Sequence, residues 1–169
     1  MKRLRVIIVL LFLLILACQG LPLAVKKLTF LPPGSSFEAN SRYGDWQISI
    51  DKVLVAETIT STDSDAFEKA EGRFVILFLS VTNRGSSTNT FIADANFFIK
   101  DGEGTVYDEN YLASAYAQSQ YPVDIGAEIN PDETKHVVAV YDISTQSSFY
   151  YVVPSILSEI NSSVFIQVP

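Results

Sequence analysis

From Arg42 onward, apolar residues recur at every second position. Trp46, Ile48 and Ile50 alternate with Gln47 and Ser49, and Val164, Ile166 and Val168 alternate again at the end of the chain. A repeat of two belongs to a strand with one buried face, whereas a helix repeats every 3.6 residues. Between these ends lie the run Gly72–Asn83, then Phe97-Phe98-Ile99, Val106-Tyr107, His136–Ile143 and Phe149–Val153. Turn signals separate them: Asn83-Arg84-Gly85, Asp101-Gly102-Glu103-Gly104 and Asn130-Pro131-Asp132. Short strands punctuated in this way predict an all-β antiparallel sandwich. Helix is confined to fragments, a capped turn at Asp65-Ala66-Phe67-Glu68 and a short helix over Asn110–Gln118.

The same alternation sorts the faces. Val75, Leu77, Leu79 and Val81 share one face of the central strand and are predicted to form the core with Trp46, while Phe74, Ile76 and Phe78 share the other with Ser80 and Thr82. Val138 and Val140 lie on one face with His136 and Asp142. An outer face that is apolar at its centre needs a cover. Two covers compete, the long Asp108–Gly126 connection and a docked partner. Tyr111, Tyr116 and Tyr121 fall in that connection among Ser, Ala, Asn and Gln, a composition suited to recognition because tyrosine offers rigid amphipathic area at low entropy cost. The candidate binding surface is therefore Phe74, Ile76, Phe78, Tyr111, Tyr116 and Tyr121.

The N-terminus breaks the alternation. Met1 to Arg5 is basic, and Val6 to Ala17 is an unbroken apolar run of 12 residues. Crossing a hydrocarbon core takes roughly 20 residues, so the run has the length of a signal-peptide core. Ile15-Leu16-Ala17-Cys18 is similar to the bacterial lipobox, with Leu16 where a smaller residue is usual, and it makes Cys18 the lipidation site. An uncleaved span over Val6–Val25 and ordinary cleavage after Gly20 are the alternatives. Cys18 is the sole cysteine, which excludes an intrachain disulfide and suits an acylated anchor. Pro32-Pro33-Gly34-Ser35-Ser36 reads as a flexible tether. The expected organisation is a signal peptide over 1–17, a tether over 18–41 and a sandwich over 42–169, the last with 128 residues, enough for one core.

Three segments together carry a resemblance: Gly72–Gly85, then Phe97–Tyr107 with its Lys100-Asp101-Gly102-Glu103-Gly104 turn, then Ile129-Asn130-Pro131-Asp132-Glu133-Thr134. In that order and spacing they resemble a widespread immunoglobulin-like domain of unknown function found in bacterial lipoproteins and similar to the mycobacterial secreted immunoprotective antigen. The resemblance covers roughly residues 43–153 and implies an immunoglobulin-like sandwich outside the cytoplasm. It supplies no catalytic residue. Asp132 stands where the family has Gly after the Pro.

Composition narrows the chemistry. The chain has 169 residues, 48% of them hydrophobic and 18% charged, which excludes a disordered or collagen-like polymer. Without Lys2, Arg3 and Arg5 there remain 9 basic and 19 acidic residues, net −10. Such a surface repels phosphate, so nucleic-acid binding is excluded and adsorption of the domain itself on anionic lipid is disfavoured. His136 is the only histidine, which rules out multi-histidine metal sites, and no G-x-S-x-G nucleophile motif is present. Asp101, Glu103, Asp108 and Glu109 crowd one hairpin, but their spacing departs from a calcium loop. The sequon Asn161-Ser162-Ser163 has no bearing if the source is bacterial. No metal or cofactor is expected. The expected function is a non-enzymatic, membrane-tethered module outside the cytoplasm that binds an envelope protein or polymer. Its rivals are a subunit that assembles through edge strands and an envelope hydrolase.

Overall fold

A computed structural model describes residues 29–169 apart from positions 125, 127 and 148. The signal peptide and the lipidation of Cys18 fall outside the described residues. The elements in chain order are β1 (Thr29–Leu31), β2 (Ser36–Ser41), β3 (Gly44–Thr60), β4 (Phe67–Asn83), β5 (Asn89–Thr90), α1 (Ala93–Asn96), β6 (Phe97–Asp101), β7 (Val106–Tyr107), α2 (Tyr111–Gln120), β8 (Glu128–Ile129), β9 (Thr134–Ile143), β10 (Tyr150–Pro154), β11 (Ser158–Ile160) and β12 (Ser162–Ile166). Two five-stranded sheets form a sandwich, one ordered β1-β12-β10-β6-β7 and the other β11-β2-β3-β4-β9, with β5 and β8 paired at the side. The pairings are antiparallel except β1 with β12, which run parallel from Thr29↔Ser162 to Leu31↔Val164. A parallel pair needs a long crossover, and here the whole domain supplies it.

The core follows the alternation. Val75, Leu77, Leu79 and Val81 of β4 point between the sheets with Trp46, Ile48 and Ile50 of β3, and meet Phe97, Ile99, Tyr150, Val152, Val164 and Ile166 of the first sheet. Phe37 packs edge-on against Phe97 with ring centroids 5.6 Å apart. These are the inward positions that the sequence predicts.

The tether expected over 18–41 does not extend into the described part of the chain. Phe37 and Ala39 are buried between exposed Glu38 and Asn40, and β2 pairs with β3 from Ser36↔Ser49 to Ser41↔Gly44. Pro32-Pro33-Gly34 is the turn between β1 and β2, with Gly34 at a φ of 81° that glycine adopts without strain. From Cys18 to Thr29 there are then 11 steps rather than the 24 to Arg42. The capped turn expected at Asp65–Glu68 is likewise a hairpin end. Ser61 N donates to Ala66 O at 2.8 Å, hydroxyls of Ser61 and Ser64 accept from Asp63 N and Ala66 N, and β4 has begun by Phe67. Serine bonded to the backbone two residues on favours a turn as readily as a helix cap.

Two irregularities interrupt the β3–β4 ladder. Asp51 is the extra residue between the pairs Ile50↔Leu79 and Lys52↔Phe78, and a longer stretch of β4 bulges between Ala56↔Phe74 and Thr58↔Lys69. Asp142 of β9 holds the second bulge, its carboxylate accepting from Glu71 N at 2.7 Å and Gly72 N at 3.0 Å. A Cβ at Gly72 would lie 2.1 Å from Ile143 O, so only glycine fits.

Asn83 closes the other end of β4. It is fully buried; its Nδ2 donates to Ser87 O at 2.7 Å and Ile129 O at 2.8 Å, and its Oδ1 accepts from Gly85 N at 2.8 Å. Its main chain meets the next turn, where Asp132 donates its N–H to Asn83 O at 2.8 Å. Asp132 has a φ of 60°, which explains a family preference for glycine there and is tolerated by Asp. Asn83→Ala removes three hydrogen bonds and leaves the buried Ile129 carbonyl without its donor. The expected loss is about 1–3 kcal/mol, read as the change in unfolding free energy in an equilibrium urea melt.

Candidate functional site

The structure corrects the candidate binding surface. Phe74 and Ile76 are buried beneath α2, in a second apolar cluster with Ile59, Val138, Val140, Ala113 and Ala117. The predicted helix is present. Asn110 caps it by accepting from Ala113 N at 3.0 Å, and the β3–β4 hairpin tip clasps its far end through Thr62 N to Ser119 Oγ at 3.2 Å. Ala113 and Ala117 have no exposed area, so the helix approaches the sheet on its small side chains. The tyrosines disperse around it. Tyr111 is exposed and donates its hydroxyl to Asp94, Tyr116 is half-buried on the second cluster, and Tyr121 meets Phe78 edge-on at 4.8 Å. The connection is thus a cover, and the six residues do not form one recognition surface.

The same helix region caps the outer edge of β9. Asp124 N donates to His136 O at 2.7 Å, Gln118 Nε2 to Val138 O at 3.2 Å, and Asn110 N to Val140 O at 2.8 Å. Ser114 Oγ accepts from Val140 N at 2.9 Å, and Asp124 Oδ2 from His136 N at 3.1 Å. An edge whose polar groups are already used offers little to an incoming strand. That geometry counts against assembly through β9.

At the exposed end of the same face, the bulge at Asp51 brings together three groups the sequence did not connect. Ser80 Oγ donates to Asp51 Oδ2 and lies 3.1 Å from His136 Nδ1, while Asp51 Oδ2 is 3.9 Å from that nitrogen. An acyl-transfer triad needs the imidazole between carboxylate and hydroxyl, so that the carboxylate fixes its tautomer. Here the hydroxyl occupies the middle, and the imidazole is 66% exposed. The arrangement is a surface hydrogen-bond chain.

The hairpin carboxylates also separate. Asp101 is buried, and its oxygens accept from Glu103 N at 3.0 Å, Thr105 N at 2.8 Å and the Tyr107 hydroxyl at 2.8 Å. Burial alone would raise its pKa, but these bonds outweigh it and hold the carboxyl below its usual range. Glu109 points elsewhere, into a cleft of about 300 Å³ lined also by Tyr111, Ser114, Gln118 and Asp124. Burial pushes its carboxyl up to about 7; a hydrogen bond from Ser114 opposes the rise, and the charge of Asp94 adds to it. Among the described residues no group of three or more His, Cys, Asp or Glu is arranged to hold a metal ion.

Among the described residues, no element covers the first sheet in this way. Phe30 of β1, Phe165 of β12, Tyr151 of β10 and Phe149 just before β10 form one aromatic patch on its outer face. Phe30 stacks on Phe165 at 5.3 Å and meets Tyr151 edge-on at 5.4 Å, and Phe149 stacks on Tyr151 at 6.2 Å. Phe30 and Phe149 are 51% and 45% exposed, the outermost members of the patch. The register carries the patch toward Lys100, which lies opposite Tyr151 and Val106. The outward positions of β1, β12, β10, β6 and β7 include neither Asp nor Glu. This surface was absent from the sequence expectations. A signal for it existed, since Phe149 and Tyr151 alternate with buried Tyr150 and Val152, and Phe165 lies between buried Val164 and Ile166.

Fold and surface together define a two-sheet β-sandwich with one outer face sealed by its own helix and the other aromatic and partly exposed among the described residues. The chain belongs to the family described as "Domain of unknown function (DUF4352)", which matches residues 35–161. Among solved structures it is similar to a conserved hypothetical protein from Bacillus anthracis, with 17% identity, 76% of this chain and 99% of that chain covered, and a TM-score of 0.50. It is also similar to an uncharacterized β-sandwich protein from Clostridium difficile, with 10% identity, 84% and 96% covered, and a TM-score of 0.50. The secreted protein MPT63 of Mycobacterium tuberculosis aligns at 14% identity over 83% of this chain and 98% of that chain, with a TM-score of 0.49. The first two likenesses carry the sandwich fold and nothing finer. No curated protein matches the chain at significant similarity.

Proposed function

We propose that this protein is an extracytoplasmic binding module, held to the membrane by a lipid on Cys18, which contacts its target through the aromatic face of the first sheet. The observation that carries the reading is the contrast between the two outer faces. A domain whose described residues seal one apolar face with a dedicated helix and leave Phe30 and Phe149 exposed beside half-buried Tyr151 and Phe165 on the other has a use for that surface. The hydroxyl-centred order of Asp51, Ser80 and His136 favours binding over hydrolysis, and the capped edge of β9 favours it over assembly through that strand. The basic and apolar N-terminal residues support export. Among the described residues no helix is long and apolar enough to cross a membrane.

The anchor is tested by intact-mass measurement of membranes from cells making the full-length chain. The expected wild-type species begins at Cys18 and carries acyl groups, and Cys18→Ser is expected to be unlipidated and uncleaved at this site. An unmodified Met1 to Pro169 species would overturn the proposal in favour of an uncleaved span, and a mature end at Leu21 would overturn it in favour of release. The binding face is tested by placing a photo-crosslinking side chain at Phe149 in the full-length protein. A discrete adduct is expected there and none from the same group at exposed Glu128, which lies outside the patch; equal labelling from both positions counts against the face.

A further inference from the structure

We infer that the target of the aromatic face is the lipid bilayer itself, so that the sandwich lies on the headgroup boundary with β1, β12 and β10 inward. The inference rests on the membrane-tethered reading above and names the partner of that same face.

The chain enters the patch directly from its N-terminal segment. Phe30 follows the 28 residues that precede the described part by a single position, and those residues end in Leu21-Pro22-Leu23-Ala24-Val25-Lys26-Lys27-Leu28. Apolar side chains beside paired lysines suit a lipid–water boundary, where lysine stems lie on acyl chains and their ammonium groups meet phosphate. Cys18 and Thr29 are 11 steps apart, a length of chain that reaches at most about 40 Å. A tether of that length keeps the β1 edge of the sandwich near the surface, and the first residue of the patch lies on that edge.

Charge supports the same side. Residues 29–169 contain 7 basic and 19 acidic residues, net −12, which would repel an anionic membrane if the charge were spread evenly. It is not. The outward positions of the first sheet carry no carboxylate, and Lys100 is their charged residue. Phenylalanine, tyrosine and lysine together make up the side-chain set found where proteins meet headgroups. The acidic charge that repels an anionic membrane is therefore carried by the other surfaces and not by the strands of this face.

The experiment uses the full-length chain reconstituted into phosphatidylcholine vesicles, with or without acyl chains brominated near the headgroup. Trp46 is the sole tryptophan and is buried in the core, so its emission serves as the internal control. Phe149→Trp is expected to add emission that is blue-shifted on the vesicles and strongly quenched by the brominated lipid, while wild-type emission changes little. Phe30→Trp gives the same readout from β1 should the first variant be perturbed. Flotation separates the two proposals. Protein that fails to float with the vesicles refutes the anchor. Protein that floats while the added tryptophan stays red-shifted and unquenched refutes the lipid-facing surface alone. A tryptophan that is blue-shifted but unquenched means that protein rather than lipid covers the face, which also overturns the inference.

Discussion

Replacing Leu77 with Ala is expected to lower the unfolding free energy by about 2–5 kcal/mol. Leu77 has no exposed area, sits in the middle of β4 and is paired with Val53 on one side and Ala139 on the other. β4 is a long interior strand paired with β3 and β9, so its neighbours cannot collapse into the space without moving two ladders. The loss therefore combines the transfer free energy of three carbons with an unrelaxed cavity. Trp46 belongs to the same cluster and reports the transition by its emission in a urea melt. A change below about 1 kcal/mol would mean that the inner face had been assigned to the wrong set of residues, since a shift of one position exchanges the two faces.

The second large effect depends on pH. The Glu109 carboxyl is raised to about 7 from an ordinary 4.5, so the folded protein keeps a proton that the unfolded chain gives up. Ionising Glu109 then costs the folded state. The cost is absent below pH 4.5, builds as the pH rises and is complete above about 7. Glu109→Gln keeps an acceptor for Ser114 and removes the charge, so the variant should match wild type at pH 4. At pH 8 it should be more stable by about 2–3 kcal/mol, since one pKa unit corresponds to about 1.4 kcal/mol and partial exposure reduces the full value. Urea melts at the two pH values measure the difference directly. The same gap at both would show that the carboxyl ionises in the fold as it does in the unfolded chain.

These two residues differ in how visible they were. Leu77 was legible because a strand with one buried face imposes a repeat of two, and β4 is long enough to display it. The cover over Phe74 and Ile76 was half legible. A long connection beside an apolar face had to bury something, and the helix at Asn110 follows from its cap. Which side chains would seal the face was not readable, because packing distance decides it. A helix lying close on a sheet needs Ala113 and Ala117 at the contact, which sends Tyr111 and Tyr121 to its margins. Glu109 stood out only as one of the hairpin carboxylates, and its raised pKa was not readable, since it comes from burial that only the folded chain creates.

Sequence alone determined the β class, the inner face of β4, the Asp101–Gly104 hairpin turn and the place of the covering helix. Each follows from interactions among residues close together along the chain, where backbone periodicity and turn chemistry act. The tertiary structure alone decided the strands at Thr29–Leu31 and Ser36–Ser41, the meeting of Asp51, Ser80 and His136, and the aromatic face built from Phe30, Phe149, Tyr151 and Phe165. Phe30 pairs with Ser163 from the opposite end of the chain. A three-residue strand has no period to read, and its partner is chosen by the closing of the whole sandwich rather than by its own residues.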